Sequence, residues 1–148
     1  MTGMFGREEV MSALRRVNWA KLGVEWVVLF GSLAYRGVGE DVDLLVKPRG
    51  RGGAEWRLRI GIEVGEVLSV DWARIDVVEA SNDTPCPIIH SAWRHGILVY
   101  EEERGQARRW LLLRVMVCSD YELAIKRLHV IETGVMAARR RWGSGSPS

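Results

Sequence analysis

Apolar residues at Val10, Leu14, Val17 and Leu22, with charges between them, predict an amphipathic helix over residues 7–22 that stops at Gly23. The period then changes. Residues 24–30, VEWVVLF, are β-branched, aromatic and almost continuously apolar, which predicts a buried strand running into a tight turn at Gly31-Ser32. Residues 33–36 begin a short helix, Gly37 and Gly39 loosen the chain, and residues 41–47, DVDLLVK, form a second strand closed by Pro48 and the Gly50–Gly53 loop. Trp56, Ile60, Val64, Val67 and Leu68 repeat at three and four residues, so a helix is expected over 54–70 despite Gly61 and Gly65. A third strand follows at 73–79, a polar loop at 81–87, a short helix at 87–95 and a brief strand at 97–100. A long helical stretch covers about 106–140, with a break expected near Ser119-Asp120, and residues 143–148 read as a flexible end. The order of elements is that of an α/β (α+β) domain with a small mixed sheet flanked by helices. Its core is expected in residues 1–100, with a helical extension over 101–142 packed on the same domain.

Composition narrows the partners. The chain has 148 residues, 47% hydrophobic and 27% charged, enough for one core without disulfide or zinc staples. Its two cysteines, Cys86 and Cys118, lack C-x-x-C spacing, so they are expected as free thiols in a reducing, cytoplasmic setting. Arg7, Glu8 and Glu9 stand where a signal peptide would be apolar, and the longest uncharged runs are ten residues, so neither export nor a membrane span is expected. The net charge is only +2, without the broad basic footprint of a protein whose main work is holding nucleic acid.

Three features carry candidate chemistry: Gly31-Ser32 at a strand end, Asp41-x-Asp43 at the head of the next strand, and Asp76 inside a later one. Glycine admits a ligand close to the backbone, and consecutive N–H groups with a serine hydroxyl can cradle a triphosphate, although most Gly-Ser pairs at strand ends are plain turns. Side chains alternate along a strand, so Asp41 and Asp43 emerge on one face while Val42 points to the core. A solvated strand end tolerates such a pair. Here, however, the pair abuts the apolar run 44–46, and Asp76 is flanked by Ile75, Val77 and Val78. A carboxylate inside a buried run is costly unless paired or bound to a hard cation such as Mg²⁺, which takes carboxylates together with substrate phosphates.

The run 27–32, VVLFGS, followed by 40–46, EDVDLLV, and 75–78, IDVV, resembles the minimal nucleotidyltransferases of the DNA polymerase β superfamily. The resemblance covers residues 7–100 by order of elements. Residues 97–101 and the helix after them resemble members that act as the antitoxin half of a toxin–antitoxin pair. It implies a polymerase-β-like fold, Asp41 and Asp43 holding two Mg²⁺ ions, and Asp76 ligating the catalytic ion and helping to deprotonate the acceptor. Gly31 and Ser32 would grip the phosphates of ATP. It also implies a partner, an all-helical HEPN ribonuclease, silenced by binding or by transfer of AMP to a tyrosine. Eight residues separate Ser32 from Asp41, fewer than such members usually carry, Glu40 replaces the usual small residue, and the 33–37 segment, LAYRG, has one residue more than the commoner order.

Other patterns are weaker. His90, His95 and Cys86 lack the spacing and the fourth ligand of a zinc site, and no Gly-x-Ser-x-Gly elbow surrounds Ser32. No histidine follows an arginine at the spacing of a HEPN ribonuclease, so the chain is not the toxin. The seven tryptophans suit a core. Residues 110–117, WLLLRVMV, are apolar around too much of a helix for a solvated monomer and are a candidate contact surface, for a homo- or hetero-oligomer. Residues 139–142, RRRW, read as a solvated helix end. The expected activity is Mg²⁺-dependent transfer of a nucleoside monophosphate from an NTP to a protein hydroxyl. The rivals are a non-catalytic module of the same fold that neutralises a toxin by binding, and an enzyme with a small-molecule acceptor.

Overall fold

A computed structural model describes residues 3–141, with side chains described to Ala137. The chain divides into two compact units, one up to Val115 and one from Met116 onward. In the first unit the elements are β1 (Phe5–Gly6), α1 (Arg7–Leu14), β2 (Val24–Phe30), α2 (Gly31–Arg36), β3 (Val38–Gly39) and β4 (Val42–Pro48). They are followed by α3 (Ala54–Leu68), β5 (Ile75–Glu79), α4 (Cys86–His95), β6 (Ile97–Glu101) and the start of α5 (Gln106–Arg141).

Four strands form a mixed sheet in the order β5-β4-β2-β6, parallel only between β4 and β5. The near-continuous apolar runs of β2 and β4 have a direct cause, because both are central strands covered on two faces. Val27, Leu29, Leu44 and Val46 join Val10, Leu14, Ile60 and Val64 of α1 and α3 in the main core. The opposite face carries Trp26, fully buried, whose ring lies 5.3 Å from that of Trp110 in a tilted stack. Emptying that space with Trp26→Ala is expected to cost about 3–5 kcal/mol, measured by chemical denaturation.

The 7–22 helix is shorter than its periodicity suggests. It ends at Leu14, and the chain re-enters a 3₁₀ turn at Trp19–Leu22, capped by the Asn18 side chain accepting from Lys21 N–H and closed by left-handed Gly23. The Leu14 carbonyl at the helix end accepts from the Val17 backbone N–H at 3.2 Å and from the Trp19 indole N–H at 3.0 Å. α3 ends at Leu68, and α2 starts at Gly31, two residues earlier than expected. α5 runs through Ser119-Asp120 without the expected break. The polar run 101–103 also has specific work: Glu101 accepts from Gly105 and Ala107 N–H at the head of α5, and Glu102 pairs with Arg49.

Neither cysteine is free. Cys86 and Cys118 are both disulfide-bonded, contrary to the free-thiol expectation, so the argument from cysteine to a reducing compartment loses its premise. Among the described residues no helix is long and apolar enough to cross a membrane. The expectations for the 143–148 tail and for Trp142 fall outside the described residues, and those for the side chains of Arg139 to Arg141 do also.

Candidate functional site

Strand register brings the carboxylates to one place. Asp43 sits in β4 opposite Phe30, the last residue of β2, and beside Asp76 of the parallel strand β5. Paired positions in neighbouring strands present side chains on the same face, so the two carboxyls are neighbours. The two carboxyls are close enough for Asp76 to act on Asp43 through its charge and a shared hydrogen bond, and Asp41 acts on it through its charge. Among the described residues no set of three or more His, Cys, Asp or Glu side chains is gathered tightly enough to hold a metal ion. Asp43 and Asp76 are paired in register, and Asp41 stands two residues ahead of Asp43, near enough for its charge to act on that carboxyl.

Asp76 is exposed, contrary to the buried setting that its neighbours suggested. The reason is position: β5 is an edge strand of the sheet and only Ile75 of it is buried. The cost of burial therefore falls on Asp43. It is half-buried, and desolvation first, then the charges of Asp76 and Asp41, raise its pKa from 3.8 to about 6. No cation is among the groups that shift it. Hard oxygen donors crowded until the ionisation of one is disfavoured suit a divalent ion, whose charge would offset their repulsion.

The raised value has a sign. A carboxyl whose pKa is higher in the folded state favours folding below pH 4, and that contribution is lost as pH rises through about 6. Asp43→Asn removes the loss. In metal-free buffer the variant is expected to exceed the parent at pH 7 by about 1 kcal/mol after solvent screening, roughly 3 °C in Tm, with the gap closing toward pH 4.

Gly31 opens α2 at φ +80, and a Cβ placed on it would overlap the Asp43 carboxylate oxygen, 3.0 Å from Cγ. Only glycine permits both the left-handed backbone and this approach. Ser32 follows it, exposed at the surface. The short spacer to Asp41 is folded by a contact that sequence patterning missed: β3 pairs with β1, placing Gly39 opposite Phe5 and Val38 opposite Gly6. Gly37, at φ +85, turns the chain between α2 and β3. Arg7 secures the turn, its side chain donating to the Ala34 carbonyl at 2.9 Å and its backbone N–H to the Gly37 carbonyl. Gly39 is buried against Ser32, where a Cβ would stand 3.2 Å from the serine hydroxyl.

Arg74 was also missed. Its Nε donates to the Glu40 carbonyl at 3.0 Å, its terminal nitrogen reaches the carbonyls of Glu40 and Gly3, and its guanidinium lies 4.3 Å from the Phe5 ring centroid. It ties the residue before Asp41 to the entry of the strand bearing Asp76. No spacing rule singles out such a backbone clamp. A separate cavity of about 460 Å³, walled by Val28, Trp93, Leu98, Arg104, Arg108 and Leu111, includes none of the five expected site residues.

No family model matches the chain, and no curated protein does. Solved structures do. The tri-AMPylated Shewanella oneidensis HEPN toxin in complex with MNT antitoxin matches at 12% identity and a TM-score of 0.59, over 87% of this chain and 98% of that one. A toxin–antitoxin complex with AMP-PNP matches at 13% identity and 0.59, over 88% and 99%. The toxin–antitoxin MntA-HepT matches at 14% identity and 0.52, over 87% and 96%. At these identities the likeness carries the architecture, and the chain has the minimal nucleotidyltransferase fold.

Proposed function

We propose that this chain is a Mg²⁺-dependent nucleotidyltransferase that moves AMP from ATP to a hydroxyl of a partner protein, as the antitoxin of a HEPN ribonuclease toxin in the cytoplasm. The observation that carries the reading is the Asp43–Asp76 pair, held in register on adjacent strands and pressed against Gly31. Support for the setting comes from the neighbours of this fold, which include a complex with AMP-PNP and an AMPylated toxin bound to an antitoxin.

On this reading Asp41, Asp43 and Asp76 hold the divalent ions. A bound divalent ion supplies charge stabilisation to the attacking and leaving oxygens. Gly31, having no side chain, leaves room for the phosphates beside Asp43, and the Ser32 hydroxyl donates to them. The acceptor hydroxyl oxygen attacks the α-phosphorus in line, its bond to the bridging oxygen breaks, and pyrophosphate leaves. The acceptor's proton passes to Asp76, whose exposure on the edge strand leaves it reachable from outside. Asp43, half-buried, is the better-fixed of the pair and sets the geometry.

The test is to incubate the chain with ATP, Mg²⁺ and a purified HEPN partner and to weigh both proteins intact. The expected result is a partner heavier by whole adenylates, lost when the divalent ion is chelated. A stable complex with no mass gain under any condition would move the reading to a binding module.

A further inference from the structure

The second unit, from Met116 onward, is α5 alone among the described residues, and its apolar side chains are exposed: Leu128 is 56% accessible and Ile131 61%. Val117, Tyr121, Ala124, Leu128, Ile131 and Val135 succeed one another at alternating spacings of four and three residues. That alternation is the a/d seam of a left-handed coiled coil, sustained for over two heptads. A lone helix with such a seam in water lacks the packing that normally holds a helix together. Its pattern calls for a helix of the same period alongside.

We propose that this seam pairs with the same seam of a second copy of the chain, in a parallel two-stranded coiled coil. Charge complementarity selects this occupant. With Tyr121 and Leu128 at a positions, Arg127 falls at g and Glu132 at the following e, which in a parallel pair face each other across the interface. Symmetry makes the contact twice, Arg127 to Glu132 of one copy with the other and the reverse. An antiparallel pair that matched Arg127 with Asp120 would need the seam to continue through residues 110–114. That stretch is already engaged in the first unit: Trp110 stacks on Trp26, Leu111 is buried, and Arg114 donates to the Asn82 carbonyl at 3.0 Å. The pairing rests on the seam alone and stands whether or not the chain transfers nucleotides.

The test is the mass of the full chain by sedimentation equilibrium at micromolar concentration. The expected mass is twice that of the chain, falling to one chain with Leu128→Lys. Arg127→Glu and Glu132→Arg should each weaken association roughly tenfold, and combining them should restore it. A monomeric parent, a dimer indifferent to Leu128→Lys, or single charge variants not rescued by their combination would each overturn the pairing. So would a parent that stays monomeric and is taken up only by a different helical protein. An unchanged thermal transition of the first unit shows that Leu128→Lys has not unfolded the chain.

Discussion

On the proposed function, Asp43→Ala is expected to lower nucleotidyl transfer by about 10³-fold or more while leaving the fold intact. The magnitude follows from the site: a carboxylate that fixes a divalent ion contributes several kcal/mol to transition-state charge stabilisation, and each 1.4 kcal/mol is about tenfold in rate. Asp43 is chosen over Asp41 and Asp76 because it alone of the three is half-buried, on the central strand β4, with Phe30 of β2 on one side in register and Asp76 of β5 on the other. The variant should not lose stability at neutral pH, since the removed carboxyl is the one whose ionisation the fold opposes. Loss of transfer together with retained stability separates a role in chemistry from a role in folding. Partner binding gives the complementary measurement: the variant should still form the complex that the parent forms.

Gly31→Ala has the second largest expected effect and works through Asp43. Two penalties combine at this residue. The left-handed backbone at φ +80 costs an L-residue about 1–2 kcal/mol, and the new methyl would occupy the place of the Asp43 carboxylate oxygen. Either the carboxylate or the start of α2 must move, and a displacement near 1 Å at a reacting centre costs about 10²-fold. Gly23→Ala is the control. Gly23 is also left-handed, at φ +68, yet a Cβ there meets nothing within 4 Å. It should lose a similar stability by thermal melting and keep its transfer rate, whereas Gly31→Ala should lose both.

The strands, the order of elements and the Asp43–Asp76 pair were legible because the pattern that reveals them is the pattern that builds them. Apolar runs at 24–30 and 42–48 mark strands covered on both faces, and a polar residue breaking such a run is conspicuous. Asp76 was legible as a strand residue but not in its exposure, because β5 is apolar enough to read as internal and only the topology makes it an edge. The break after Leu14 hid behind an unbroken apolar period, although Asn18 before a turn of Trp19–Leu22 is a capping signal in plain view. The β1–β3 pairing could not be read, since Phe5–Gly6 and Val38–Gly39 are two-residue strands without periodicity. Arg74 acts on backbone carbonyls, which no side-chain pattern encodes. The bonded state of Cys86 and Cys118 is not legible either, since spacing along the chain does not encode disulfide formation.

On the proposed function the carboxylate pair directs attack at the α-phosphorus of a nucleotide. Labelled ATP tests it most directly, with the label at the α-phosphate in one reaction and at the γ-phosphate in another, each with Mg²⁺, a HEPN partner, and parent or Asp43→Ala chain. The expected result is α-label joined to a protein, γ-label released in pyrophosphate, and neither event with the variant. Label from the γ-phosphate on protein, or α-label transfer that survives Asp43→Ala, would contradict it.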